Sequence, residues 1–543
     1  MARRANRDLG EGRERLPTGS SEGEAGWENL RINQAGCEQG NGHPSNWNEA
    51  RWRAAEAPTL QSNELDLSSG RVFIKHTFVL NMIYRKATNH FSSWLKKARR
   101  KPLVLRGARQ VGKSTLVREF AKSAGLEILE VNLERHPVLD SVFRSLDVRR
   151  ICREIEGLSG RRIDAANTIL FLDEIQAAPH ALAALRYFHE EMPELPVVAA
   201  GSLLEFMLAD HEFSMPVGRV EYLHLGPVGF SEFLRAADSG LVPYLEAAGR
   251  FEEIPDTAHA RLVERLREYI FVGGMPEAVR EFLESGSLTG VREIQRSIVE
   301  TYQDDFAKYA RREELVRMHG VFQRIPGNLG RKIKYVNLSR EDLSRDTKAC
   351  VDLLVRAQVC HRVVASHCSG LPLAAGENAK AFKLISMDVG VVNFLCGGRW
   401  ESLSQATAQT LVNEGALAEQ FAGQHLAYLD PGKPTLHYWL REGKAQNAEV
   451  DYVVAPDGKI LPIEVKAGEA GSLKSLHQFC YEKKCPIALR LDLNKPSRFP
   501  VVFKAREGAE SAEVGFELWS LPLYAVEAIG GEAFRSAISK NGL

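Results

Sequence analysis

The sequence predicts an α/β protein that carries two chemically distinct segments. Three observations support this. Residues 102–106 form a short apolar run, followed by the glycine-flanked stretch 107–114 and a helical pattern from Thr115. Residues 168–172 form a second apolar run, ending in Asp173 and Glu174. Residues 448–454 and 459–466 alternate polar and apolar side chains around Pro456-Asp457-Gly458, a hairpin signal.

The stretch Gly107, Ala108, Arg109, Gln110, Val111, Gly112, Lys113 and Ser114, with Thr115 after it, fits the P-loop pattern G-x-x-x-x-G-K-[ST] at every fixed position. Strand, glycine loop and helix are the context that motif needs. Its glycines let backbone N–H groups close on phosphate oxygens, and the helix N-terminus adds positive partial charge. Lys113 is expected to reach the β- and γ-phosphates, and Ser114 to offer its hydroxyl to Mg²⁺. The run 168–172 suits a parallel strand buried on both faces. Asp173 at its carboxyl end is placed to hold the Mg²⁺ shell, and Glu174 to polarise an attacking water. A third strand, 195–200, ends in Gly201-Ser202. Ser202 is the candidate γ-phosphate sensor; the competing reading is a plain strand-end turn. Arg219 is the candidate cationic finger, acting in cis or in trans, against the reading of a solvated loop arginine.

The remaining elements follow in order. Residues 1–81 are rich in Gly, Ser, Asn, Glu and Arg and lack a hydrophobic period, the signature of a disordered extension. Translation from Met82 is the sharper expectation, with an amphipathic helix following around residues 91–95. From 82 to 240 strand and helix alternate, as in a nucleotide-binding core. The core strands are read at 102–106, 128–133, 168–172 and 196–200, with 223–228 as one more. Residues 241–335 turn helical, most clearly at 260–271 and 293–309. Gly273-Gly274-Met275-Pro276 breaks them, with Pro276 in the first turn of the next helix. Residues 336–400 read as a winged-helix-like segment, with a helix at 348–357 running into a wing strand at 359–364. Arg331, Lys332, Lys334, Arg340, Arg345 and Lys348 make it locally basic, but interleaved acids favour packing over DNA reading.

Residues 401–525 hold the second chemical pattern, with 526–543 as a tail. Glu419 lies on an expected helix at 411–428. Asp451 lies on the first strand of the hairpin. Glu464 and Lys466, two apart, share a face of the return strand. An acid followed by E-x-K on its hairpin partner is the arrangement of PD-(D/E)xK nucleases. There Asp451 and Glu464 would hold Mg²⁺, Lys466 would orient or deprotonate water, and Glu419 would be the upstream helical acid. E-x-K alone is equally the pattern of a solvated strand face.

Composition narrows the classes. The 543 residues exceed one core and suggest three domains plus an extension. Hydrophobic content of 44% and charged content of 26% are ordinary. No apolar stretch approaches the roughly 18 residues of a membrane span. The net charge of +0 gives no global signal for nucleic acid. Eight cysteines without a C-x-x-C pair point to reduced thiols in a cytoplasmic protein. Cys360-His361 and His367-Cys368 bracket an apolar stretch that reads as a strand rather than a metal site.

The whole chain resembles the bacterial and archaeal AAA-type ATPases that carry a C-terminal domain of unknown function with a nuclease-like fold. The resemblance runs from about Met82 to about Ala525. It rests on LRGARQVGKSTLVREFA, FLDEIQ, AGSLLEF, FVGGMPEAV, GLPL, KLISMDVG, GALAEQF, AEVDYVV, PIEVKAG and LPLYA. It implies ATP and Mg²⁺ as ligands, with Lys113, Ser114, Asp173 and Glu174 in the roles given. Residues 241–335 would then be the helical lid. DNA or a protein is the implied client, and ring formation or action as a monomer are both open. Ser114 stands where Thr is more frequent, either hydroxyl serving Mg²⁺. The N-terminal extension has no counterpart in the family.

Overall fold

The computed structural model describes residues 83–541 apart from 203, 208–215, 217, 309, 401–414, 443–446, 467–472 and 508–509. The expected extension and the Met82 start lie outside the described residues. Among the described residues, no helix is long and apolar enough to cross a membrane.

The first sheet is five-stranded and wholly parallel. Its strands are β1 (Leu103–Arg106), β2 (Glu127–Asn132), β3 (Thr168–Asp173), β4 (Val197–Ala200) and β5 (Glu221–His224), in the order β2-β3-β4-β1-β5. Every residue of β3 and β4 is buried, which is why both read as unbroken apolar runs. β5 is shorter than expected. Leu225 still donates to the Arg106 carbonyl, but Gly226-Pro227 then leaves the ladder, since proline has no N–H to give. The helix Ala87–Leu95 buries Phe91 and Trp94 against this body, with Phe91 4.9 Å from the Phe120 ring on the P-loop helix.

Helices follow at Asp256–Val272, Pro276–Ser285, Leu288–Phe306 and Arg312–Arg324. The break expected at Gly273 is present, with φ at 78° and Pro276 opening the next helix.

The second sheet is eight-stranded and mixed. It contains β6 (Cys360–Ser366), β7 (Glu377–Ser386), β8 (Leu436–Arg441), β9 (Ala448–Val454), β10 (Leu461–Val465), β11 (Ile487–Asp492), β12 (Ser497–Glu507) and β13 (Glu510–Pro522), ordered β12-β13-β11-β10-β9-β8-β6-β7. The expected hairpin is β9 and β10, antiparallel around Asp457. Helix Gly415–Ala427 is buried on nearly every side against this sheet, and its buried Gln420 and Gln424 accept from Ser386 N and Val389 N.

The winged-helix reading of 336–400 needs correction. Helices Arg312–Arg324, Tyr335–Leu338 and Ser344–Arg356 do run into an antiparallel pair, β6 and β7. That pair is not a separate wing, because β6 also pairs in parallel with β8 through Val363, Val364 and Ala365. The backbone groups on that side of β6 are satisfied by the C-terminal sheet.

The two sheets share one continuous apolar core that runs from Phe91 to Ile538. The seam between them is held by backbone contact. Asp388 Oδ2 accepts from Gly274 N at 2.6 Å, and its Oδ1 accepts from Val391 N at 3.0 Å. Val228 after β5 donates to the Gly274 carbonyl at 2.7 Å, and Tyr269 Oη donates to Val228 O at 2.6 Å. A Cβ on Gly390 would lie 2.5 Å from Gly273 N. Two backbones therefore cross here with no side chain between them.

Buried histidines line the same seam. His425 donates from Nδ1 to Phe421 O and accepts at Nε2 from Phe230 N, an arrangement available only to neutral imidazole. Burial pushes His361, which contacts Tyr428 Oη at 3.0 Å, down to about 4, and pushes His224 down to about 3. The folded pKa values lie below the unfolded value near 6.5, so the unfolded chain takes up these protons first. Their contribution is complete above that value and is lost progressively as pH falls from it to the folded values. Between pH 7 and 5, His361→Gln should shrink the fall in unfolding free energy by roughly 2 kcal/mol. Urea melts at the two pH values test this, and an unchanged fall would refute it.

Candidate functional site

The first candidate site is built at the carboxyl edge of the parallel sheet, where β1 stands between β4 and β5. Gly107 has φ 151°, and a Cβ there would run into the Leu225 carbonyl. Gly112 has φ 89° and opens the helix Lys113–Ser123. These two positions are why the loop needs glycine. Gln110 is also left-handed, at φ 62°. Ala108 and Val111 are buried beneath the loop, while Gln110 and Thr115 are exposed.

Lys113 is buried, and its Nζ donates to Gly107 O at 3.0 Å and Ala108 O at 2.8 Å. Burial pulls its pKa down to about 8, against the pull of Glu174 and Asp173. A phosphate beside Nζ would favour the charged ammonium. Ser114 Oγ donates to Asp173 Oδ2 at 2.9 Å. Burial raises the Asp173 pKa, and the Ser114 bond opposes that shift. Glu174 follows with φ 50°, its Oε2 accepting from Gln176 Nε2 at 2.6 Å and from Ser202 Oγ at 3.5 Å. The structure thus brings Lys113, Ser114, Asp173, Glu174 and Ser202 to one edge. These residues fit a Mg²⁺-nucleotide: a glycine cradle, a buried cation, and a hydroxyl–carboxylate pair.

Arg219 is not part of this group. It precedes β5, whose Glu221 pairs with Leu103 at the start of β1, so it stands at the amino edge of the sheet, opposite the loop. There it pairs with Glu190 at 2.8 Å. The reason is strand direction: in a parallel sheet, residues before a strand and loops after one lie at opposite edges. A cis role is corrected, and only a role toward a neighbouring copy is left open by the geometry.

Several supports carry no local motif. Arg85 donates to Val111 O at 3.0 Å and Gly226 O at 2.7 Å and pairs with Glu232. Arg109 pairs with Asp305, and Tyr302 Oη donates to Arg109 O at 2.6 Å, so the helix Leu288–Phe306 leans on the loop. Tyr302 Oη also lies 3.3 Å from Met387 Sδ. Gly201 would clash with Gln176 Oε1 if it carried a Cβ, the one local hint of Gln176.

The second candidate site lies in the eight-stranded sheet. Glu419, Asp451, Glu464 and Lys466 come together as expected, joined by Glu449 and by Lys383 from β7. Lys383 is 1% exposed, and its Nζ lies 2.8 Å from Glu419, 2.6 Å from Glu449 and 3.7 Å from Asp451. Lys466 Nζ pairs with Glu464 Oε1 at 2.6 Å, and Val465 N donates to Asp451 Oδ2 at 2.8 Å. Burial and the neighbouring Asp451 charge push Glu419 and Glu464 up to about 7. The expectation that Asp451 and Glu464 hold Mg²⁺ does not fit this arrangement. Among the described residues no group of three or more His, Cys, Asp or Glu is disposed to hold a metal, and an ammonium stands among the acids.

Comparison with known proteins agrees with the first site. No curated protein matches the chain. Residues 263–402 and 414–523 match two domains of unknown function, DUF8612 and DUF4143. Among solved structures, a Walker-type ATPase of Pyrococcus abyssi is 16% identical, with TM-score 0.37, over 58% of this chain and 96% of its own. The ORC2 protein of Aeropyrum pernix is 14% identical, with TM-score 0.29, over 60% and 92%. Likenesses this loose carry no argument. Residues 99–234, the part of the chain that holds the P-loop, match the AAA domain.

Proposed function

We propose that the chain binds ATP with Mg²⁺ at Lys113, Ser114 and Asp173 and hydrolyses it, Glu174 acting as general base and Ser202 as sensor. The supporting observation is the 2.9 Å bond between Ser114 and Asp173, beside Lys113 folded over the loop carbonyls. Mg²⁺, held by Ser114 and Asp173, would supply charge neutralisation at the phosphate oxygens. The chain's own residues do the rest. Loop amides bind the phosphates, Lys113 offsets their charge, and Glu174, oriented by Gln176 and Ser202, accepts a proton from the attacking water. The nucleotide state is transmitted to the C-terminal sheet through the Gly273–Asp388 seam, the client being DNA or a protein.

The test is Mg²⁺-dependent ATP turnover by the full chain, with and without single- and double-stranded DNA, the DNA then run on a gel. Turnover that needs Mg²⁺ supports the reading; its absence under all conditions overturns hydrolysis in favour of a non-catalytic ATP-binding regulator. An ATP-gated nuclease is the second reading: the clustering of Asp451, Glu464 and Lys466 supports it, and the Lys383 ammonium among the acids weighs against it. A cut strand that persists in Asp451→Ala would refute it.

A further inference from the structure

We propose that the cavity lined by helix Ala87–Leu95, the end of β5 and the turn after helix Gly415–Ala427 binds a neutral ligand of the nucleoside class. The cavity measures about 500 Å³, within the range of small-molecule sites. Among the described residues, none of the loop 107–114 lines it, so the site is separate from the P-loop and does not rest on the ATP reading. Two imidazoles in its lining have hydrogen-bonding capacity to spare. His224, 6% exposed, belongs to β5, and its Nδ1 has no partner among the described residues. His90 belongs to the helix, and its Nε2 has none either. A buried ring nitrogen without a partner is costly, and a hydrogen bond to a ligand removes that cost.

The lining also sets the charge and shape of the ligand. Its cations are already matched: Lys86 pairs with Glu527, and Arg85 with Glu232. Asp430, exposed, adds a negative charge that repels anions. Burial lowers the pKa of both imidazoles from the ordinary value, so they are neutral at pH 7. A phosphate would find no unpaired cation among these side chains. A neutral imidazole instead offers one donor and one acceptor. Tyr428 has its hydroxyl committed to His361, which leaves its ring, with Pro227 and Pro431, as apolar surface. A nucleobase fits such a lining: it is uncharged, flat and apolar on its faces, with donors and acceptors on its edge. Two contacts tie the cavity to the P-loop. Arg85 donates to Val111 O, and the carbonyl of Leu225, another lining residue, abuts Gly107. A bound nucleoside thus lies against residues that brace the loop.

The experiment is equilibrium dialysis of the full chain against adenosine, guanosine, cytidine and uridine, each at millimolar concentration. At least one of them should bind at a single site per chain. His224→Phe and His90→Phe keep a ring and remove the nitrogens, and each should weaken binding by roughly tenfold. Lys113→Ala should bind the nucleoside as wild type does, because the P-loop takes no part. Thermal melting reports that each variant has folded. Binding of none of the nucleosides would overturn the proposal. Binding that Lys113→Ala abolishes would overturn it too, by placing the nucleoside at the P-loop. So would binding that neither phenylalanine variant weakens, which would place it elsewhere. Should His224→Phe not fold, His90→Phe, at a half-buried position, decides alone.

Discussion

Glu174→Gln is expected to keep ATP bound while slowing its turnover by on the order of 10²–10⁴-fold. The substitution preserves volume and the contacts with Gln176 and Ser202, which hold Oε2 from two sides. What it removes is the ability to take a proton. Lys113→Ala should behave differently and abolish binding, since its ammonium is buried over the loop carbonyls, where the phosphates would lie. Nucleotide retention on a filter, alongside single-turnover hydrolysis, separates the two. Unchanged turnover in Glu174→Gln would remove Glu174 as the base. Lost binding in the same variant would make its role structural.

Gly273→Val should lower unfolding free energy by about 4 kcal/mol or more, a loss reserved for strain and overpacking combined. At φ 78° and ψ −172° the backbone is in a region open essentially only to glycine. A Cβ would meet Asp388 Oδ1 and lie 2.9 Å from Gly390 Cα. Gly286→Ala is the control. It has φ 65° but open space around it, so it should cost only about 1 kcal/mol. Urea unfolding of the two variants measures the difference. Equal losses would mean that the crossing contributes nothing beyond backbone strain.

The P-loop was legible in the sequence because its chemistry is local: glycines, lysine and serine act within one turn of chain. Asp173, Glu174 and Ser202 were legible because a buried parallel strand announces itself as an apolar run, and its end marks the site edge. The β9–β10 hairpin was legible for the same local reason, and with it Asp451, Glu464 and Lys466. Arg219 misled because a residue's position beside a strand in sequence does not tell which edge of the sheet it occupies. The wing misled because a helix followed by a strand looks the same whether the strand ends a small module or joins β8. Lys383 was invisible because its partners lie on a helix and a strand 36 or more residues away in the chain, and nothing in AFKLIS signals burial of the charge.

The crossing of Gly273 with Gly390 also fixes the kind of motion open to the folded chain. Two bare backbones in contact cannot slide past one another without breaking the bonds from Gly274 and Val391 to Asp388. A translation of the eight-stranded sheet along this seam is therefore excluded while those bonds hold. The far edge is held as well: Trp519 on β13 packs 5.2 Å from the Phe251 ring, and Arg498 on β12 lies 4.0 Å over the same ring.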